Sequence, residues 1–215
     1  MVANGISVVT TTWNERENVE KLVPTIRNVL QGFPHQIIVV DDNSLDETIQ
    51  IANRLADIAV TKTREGQSKG LLLGMQLARY PIIITIDADL ENDPEQIPKL
   101  TQKIAEFDMV VASRTRLPRI SERIASKTLG KMIGVNDVFS NFRAYRREAI
   151  SEFTLRGGET FGAEILVIAK KKGLTIGEIT IDPPPRRKNP RIGGTIKANL
   201  RIVWALLKSL TLYLI

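Results

Sequence analysis

Cysteine is absent from this chain of 215 residues, and histidine occurs once, at His35. The first absence removes disulfide frameworks and thiolate metal sites, and the second removes histidine-rich metal centres. Aromatic residues make up only 5% of the chain, too few to alternate with basic groups as stacking platforms for nucleic acid, so no nucleic-acid partner is expected. No run of 18 apolar residues occurs, so no segment reads as a membrane-spanning helix. Residues 1–5 lack the basic flank and apolar stretch of a secretory leader. Acidic residues are missing from 183–215, which carries Arg186, Arg187, Lys188, Arg191, Lys197, Arg201 and Lys208. Residues 1–182 hold the other 23 basic groups against all 24 acidic ones, so the net charge of +6 resides in the tail. Such a tail, taken alone, suits nucleic acid, an anionic membrane surface or a phosphate-bearing substrate.

What is present is enough for one sizeable domain: 43% of residues are hydrophobic and 25% charged. The first half alternates strand and helix. Residues 6–13 form a β-rich run, and 18–30 repeat apolar residues at Val19, Leu22, Val23, Ile26, Val29 and Leu30, the spacing of one helix face. Strands are predicted at 36–40, 58–63, 81–87 and 109–112, with helices at 46–55, 68–80 and 94–106 between them. This alternation predicts a mostly parallel sheet with helices on its faces.

Three predicted strands end in polar clusters: Trp13-Asn14-Glu15, Asp41-Asp42-Asn43-Ser44 and Asp87-Ala88-Asp89. In a parallel sheet these ends share one edge, where open α/β folds place their ligand crevice. Crowded carboxylates repel unless a cation or hydrogen-bond donors compensate. Mg²⁺ and Mn²⁺ take oxygen ligands and are shared between one or two carboxylates and substrate phosphates, so Asp-x-Asp at a strand end points to metal-assisted diphosphate chemistry. The alternative is a loop whose acids cap the following helix.

Thr12-Trp13-Asn14-Glu15, Val39 through Ser44 with Asp46, and Asp87-Ala88-Asp89-Leu90 with Pro94-Glu95 resemble the nucleotide-sugar half of inverting GT-A glycosyltransferases. Ser113-Arg114, Arg123 through Ser126, Asp137, Ser140 through Arg143, Arg191, Gly194 and Lys197 narrow the likeness to the dolichyl-phosphate mannose and glucose synthases. The resemblance runs from about residue 5 to 197. It departs from the family at Thr11, Trp13, Glu47 and Asn141, where Pro, Tyr, Gly and Gly are usual, which leaves base and sugar identity open.

The resemblance implies a GT-A fold over residues 1–194, followed by a C-terminal amphipathic helix over 195–215. It implies that Thr11, Trp13, Glu15, Asp42 and Ala88 border the donor nucleotide, with Asp42 accepting hydrogen bonds from base or ribose. Asp87, Asp89 and Glu91 would hold Mg²⁺ or Mn²⁺ against the diphosphate, with Asp89 central to catalysis. Arg114, Arg123 and Arg143 would receive the acceptor phosphate, while Arg191 and Lys197 would close over phosphate. The implied reaction moves a hexose, mannose or glucose, from GDP-mannose or UDP-glucose to dolichyl or polyprenyl phosphate with inversion. An acceptor hydroxyl would instead require a general base, for which Asp137 and Glu164 are candidates. Two other readings stay open: a nucleotidyltransferase, which releases pyrophosphate, and a non-catalytic nucleotide-binding protein on the same fold.

As a helix, 195–215 would group Lys197, Arg201 and Lys208 on one side and Ile202, Val203, Leu206, Leu210 and Leu214 on the other. Its apolar part spans roughly 21 Å, short of the ~30 Å hydrocarbon core. It suits the membrane interface, with Trp204 and Tyr213 at headgroup level, or alternatively packing against the α/β body. A peripheral position on the cytoplasmic membrane face is the expectation, and a membrane segment beginning where this sequence stops is a further reading.

Overall fold

The computed structural model describes residues 5–156, 160, 162–182 and 195–214, the first three residues of the last segment by backbone alone. In chain order the elements are β1 (Ile6–Thr12), α1 (Arg16–Val29), β2 (His35–Asp41), α2 (Thr48–Leu55), β3 (Ile58–Thr61), α3 (Gln67–Leu77), β4 (Ile82–Thr85) and α4 (Ile97–Lys103). There follow β5 (Met109–Arg114), α5 (Ile120–Ala125), α6 (Lys131–Ile133), β6 (Arg143–Arg146), α7 (Arg147–Ile150), α8 (Ala163–Lys171), β7 (Ile176–Ile181) and α9 (Thr195–Leu214). A π-turn at Ser126–Gly130 joins α5 to α6. The single predicted helix over 94–106 is α4 flanked by 3₁₀ turns at Pro94–Gln96 and Ile104–Glu106. Helix α3 stops at Leu77, short of the predicted 80, and Ala78 (ψ 128°) already turns the chain extended.

The strands form one sheet in the order β3-β2-β1-β4-β6-β5-β7. All pairings are parallel except those of β6, which runs antiparallel to both β4 and β5. Successive side chains point to opposite faces, so Val8, Ile37 and Ile84 pack with Val19, Leu22 and Ile26 of α1. Val9, Ile38 and Ile83 pack on the other face with Leu71 and Met75 of α3 and Leu166 of α8. Burial on both faces explains why these strands read as continuous apolar runs.

Helix α3 sits unusually close to β1. A Cβ on Gly74 would lie 2.3 Å from Val9 Cγ1, and one on Gly70 2.9 Å from Thr11 Cγ2. Two glycines one turn apart thus let the helix rest on the sheet.

Helix α9 packs against α5 and α8. Ala198, Ile202, Ala205, Leu206 and Ser209 are buried there. Of the apolar side expected from sequence, Ile202, Leu206 and Leu210 face the protein, whereas Val203 and Leu214 are exposed. Leu200, Trp204 and Leu207 join those two on a second apolar face turned outward. Among the described residues, no helix is long and apolar enough to cross a membrane.

Candidate active site

Strands β1, β2 and β4 run in parallel register, Thr12 opposite Asp41 and Val9 opposite Thr85, so their carboxyl ends form one rim. Backbone strain marks that rim. Asn14 (φ 53°), Asn43 (φ 61°) and Leu90 (φ 61°) adopt the left-handed conformation, one at each of the three polar clusters. Asn tolerates this geometry, whereas Leu does so at a cost.

The two aspartates ending β2 do different work. Asp41 is buried and accepts hydrogen bonds from Thr12 Oγ1 (2.9 Å) and from Ser44 N (2.8 Å) and Oγ (2.5 Å). It fixes the turn. Asp42 points to the crevice, where it pairs with Lys62 and accepts from Glu65 N (3.2 Å) and Gly66 N (3.3 Å). The Arg64 guanidinium carbon lies 3.6 Å from the centroid of the Trp13 ring. Glu15 is buried at the start of α1, where its carboxylate accepts from Asn18 Nδ2 at 2.5 Å. Thr11 is partly buried under Gly70, and Ala88 is buried.

Asp87 stands at the end of β4. Gln67 Nε2 donates to it at 2.5 Å, and the Asn141 side chain hydrogen-bonds it as well. Burial and the neighbouring charge of Asp89 push its carboxyl up to about 7, with a smaller push from Glu91, against the opposing pull of Arg143. Asp89 is exposed and accepts the Glu91 amide at 3.0 Å. Asn141 Oδ1 is buried without a hydrogen-bond partner. Negative charge and lone pairs thus converge here, with the Arg143 guanidinium as a neighbour of Asp87.

Among the described residues no three His, Cys, Asp or Glu side chains are gathered as a ready metal cage. Asp87 and Asp89 nevertheless fit a divalent cation that takes its remaining oxygens from a diphosphate and water, the usual habit of Mg²⁺.

Arg114 is engaged by Asp137, its Nε at 2.6 Å and Nη2 at 3.3 Å from the carboxylate oxygens, with Glu122 at 3.5 Å. Burial works against its charge, but these carboxylates outweigh it and raise the guanidinium above its ordinary value. Asp137 is buried, and Glu164 is buried and accepts the Arg156 amide at 2.6 Å. Arg123 is exposed on α5. Arg143, expected at an acceptor phosphate, is instead fully buried, donating to Gly162 O (2.8 Å) and Val138 O (3.0 Å). Its position on β6, between Thr85 and Val111, puts it inside the sheet with its charge beside Asp87. Gly162 (φ 76°) makes room for Asn141 and Arg143, since a Cβ there would fall 2.2 Å from Asn141 Oδ1 and 3.2 Å from Arg143 Nη1. Arg191 lies outside the described residues, as does the side chain of Lys197.

The sequence profile of glycosyl transferase family 2 matches residues 7–154, from the first strand to just beyond β6 and α7. The chain belongs to that family. Within it, the chain is 30% identical over 224 residues to a dolichol-phosphate mannosyltransferase of Pyrococcus furiosus, an alignment covering 94% of this chain and 64% of that protein. It is 34% identical over 165 residues to an undecaprenyl-phosphate 4-deoxy-4-formamido-L-arabinose transferase of Pectobacterium carotovorum, covering 68% of this chain and 50% of the other. The chain thus spans about half to two thirds of these relatives' length. Its GT-A fold matches glucosyl-3-phosphoglycerate synthase of Mycobacterium tuberculosis, crystallised with Mn²⁺, UDP and glucosyl-3-phosphoglycerate, with a TM-score of 0.78 at 21% identity over 96% of this chain and 80% of that one.

The structure adds two residues that sequence reasoning passed over, Lys62 and Arg64, beside Gly66 and Gln67 of the glycine-rich helix start. Lys62, Arg64 and Gly66 bind the β1 and β2 ends, and Gln67 binds the β4 end, so one short segment bridges both acidic clusters. The Gly66-Gln67-Ser68-Lys69-Gly70 run was the available signal, since a glycine-rich helix start commonly marks close backbone approach.

Proposed function

We propose that this glycosyl transferase family 2 chain transfers a hexose from a nucleotide diphosphate sugar, GDP-mannose or UDP-glucose, to dolichyl or polyprenyl phosphate with inversion. The observation that carries this reading is the acidic pair Asp87 and Asp89, crowded together at the end of β4 on the same rim as Trp13 and Asp42. The relatives whose names specify polyprenyl or dolichol phosphate supply the acceptor class. Asp87, Asp89 and Glu91 would hold Mg²⁺ or Mn²⁺, which when bound supplies countercharge to the departing nucleoside diphosphate.

Trp13 and Asp42, with Thr11 and Ala88 behind them, would receive the nucleoside. A phosphate oxygen of the lipid, already anionic, would attack the anomeric carbon from the face opposite the diphosphate, forming one C–O bond as the other breaks. No base is needed for that step. Asp137 and Glu164 are both buried and committed to other hydrogen bonds, which supports a phosphate acceptor over a hydroxyl. Arg114, Arg123, Arg191 and Lys197 are the cations assigned to phosphate, and Arg143 would act from behind by steadying Asp87.

Leu200, Val203, Trp204 and Leu207 are exposed on α9, and Ile120 and Ile124 are exposed on α5, the helix it packs against. Arg123 and Arg201 are exposed on the same two helices. An apolar strip with basic neighbours supports peripheral binding to an anionic membrane at its cytoplasmic face, where the lipid acceptor resides.

Asp89→Ala should abolish transfer of labelled hexose to polyprenyl phosphate while leaving the circular dichroism spectrum unchanged. Retained turnover in Mg²⁺-containing buffer would refute the assignment.

A further inference from the structure

The nucleoside end of the crevice is occupied by the chain itself. Residues 62–66, between β3 and α3, are rooted on Asp42 by the Lys62 ammonium and two backbone amides. The side chains of that ion pair are only 10% and 14% exposed, so the root is firm. The tip is different. Arg64 is exposed, and Trp13 is 36% exposed beneath its planar guanidinium.

A planar cation 3.6 Å over an indole takes the position a nucleobase would take if it stacked there. We propose that Arg64 competes with the donor base for the Trp13 ring face and is displaced from it when the donor nucleotide enters. Arg64 is then a positioning residue that keeps the ring face covered and lowers donor affinity by competing for it. This inference rests on the nucleotide-sugar reading above.

Stacking exchange is blind to the edge of the base, because every base has a π-face. Removing Arg64 should therefore strengthen nucleotide binding whichever base is preferred. That sign is diagnostic, since deleting a cation near an anionic ligand would otherwise weaken binding.

The chain has two tryptophans, so Trp204→Phe leaves Trp13 as the sole reporter. In that background, with Mg²⁺, UDP and GDP are titrated by Trp13 fluorescence into the parent, Arg64→Ala and Arg64→Lys. The expected result is a dissociation constant roughly two- to five-fold lower for Arg64→Ala, the factor matching loss of an exposed cation–π contact, with Arg64→Lys in between. An unchanged or weakened affinity in Arg64→Ala, with the parent binding nucleotide normally, overturns this inference and leaves the glycosyltransferase reading standing. If neither nucleotide binds to the parent or to Arg64→Ala, the donor reading falls and this inference with it. Binding to Arg64→Ala but not to the parent would support both.

Discussion

Replacing Asp87 by Asn should stabilise the metal-free protein while disabling it. Asp87 carries its charge beside Asp89 and Glu91 in a partly buried site, and its carboxyl ionises near pH 7 instead of near 4. Holding that charge at high pH costs about 4 kcal/mol as an upper bound, or about 2 kcal/mol once crevice water screens part of it. The folded state binds the proton more tightly than the unfolded chain, so stability is full below about pH 4 and falls as pH rises through about 7. Asn is neutral throughout and keeps an acceptor for Gln67 Nε2.

The variant should therefore match the wild type near pH 4 and exceed it at pH 8. For a chain of this size about 2 kcal/mol corresponds to a Tm rise of roughly 4–8 °C. Calorimetry in EDTA from pH 4.5 to 8.5 reads the difference, in which ionisations common to both proteins cancel. Adding Mg²⁺ with nucleotide should raise the wild-type Tm and leave the variant's nearly unmoved. A variant less stable than wild type at pH 8, or a Tm difference that ignores pH, would refute the account of Asp87 as a carboxylate lacking its cation.

Two further outcomes follow from packing. Gly74→Ala places a methyl 2.3 Å from Val9 Cγ1, and overpacking of about 1–3 kcal/mol should exceed the ~1 kcal/mol gain in helix propensity; an unchanged urea midpoint would refute the close approach of α3. Leu200→Glu with Leu207→Glu, both on the outward face of α9, should release the chain from anionic vesicles without altering its thermal unfolding; cosedimentation equal to wild type would sink the membrane-facing reading.

The parallel half of the sheet was legible because β1, β2 and β4 are buried on both faces, so apolar runs and helical periodicity alternate cleanly. The rim was legible for a related reason: Asp41 and Asp87 each interrupt an apolar run abruptly. Strand β6 was not. Its sequence Arg-Ala-Tyr-Arg places a fully buried arginine in the core, where residue type predicts exposure, and the carbonyls of Gly162 and Val138 together with the neighbouring Asp87 make that burial tolerable. The cover over Trp13 was equally hidden, because a ring contact between residues 51 positions apart leaves no local trace. In α9 the periodicity was sound, but a helix apolar on two faces cannot be oriented from one stripe.

The antiparallel placement of β6 has a consequence for biogenesis. Both neighbours of β5, namely β6 and β7, lie after it in the sequence, and β6 also supplies the second neighbour of β4. A nascent chain that has reached residue 142 therefore holds two buried-type strands with unpaired edges, the configuration most open to intermolecular pairing. The three-stranded β3-β2-β1 block and β4 can assemble from short-range crossovers, but the sheet cannot become continuous until residues 143–146 are inserted between strands made earlier. That long-range closure is slow by topology. Truncation between β5 and β6 should yield an aggregating fragment, while the finished chain seals both edges in a single insertion.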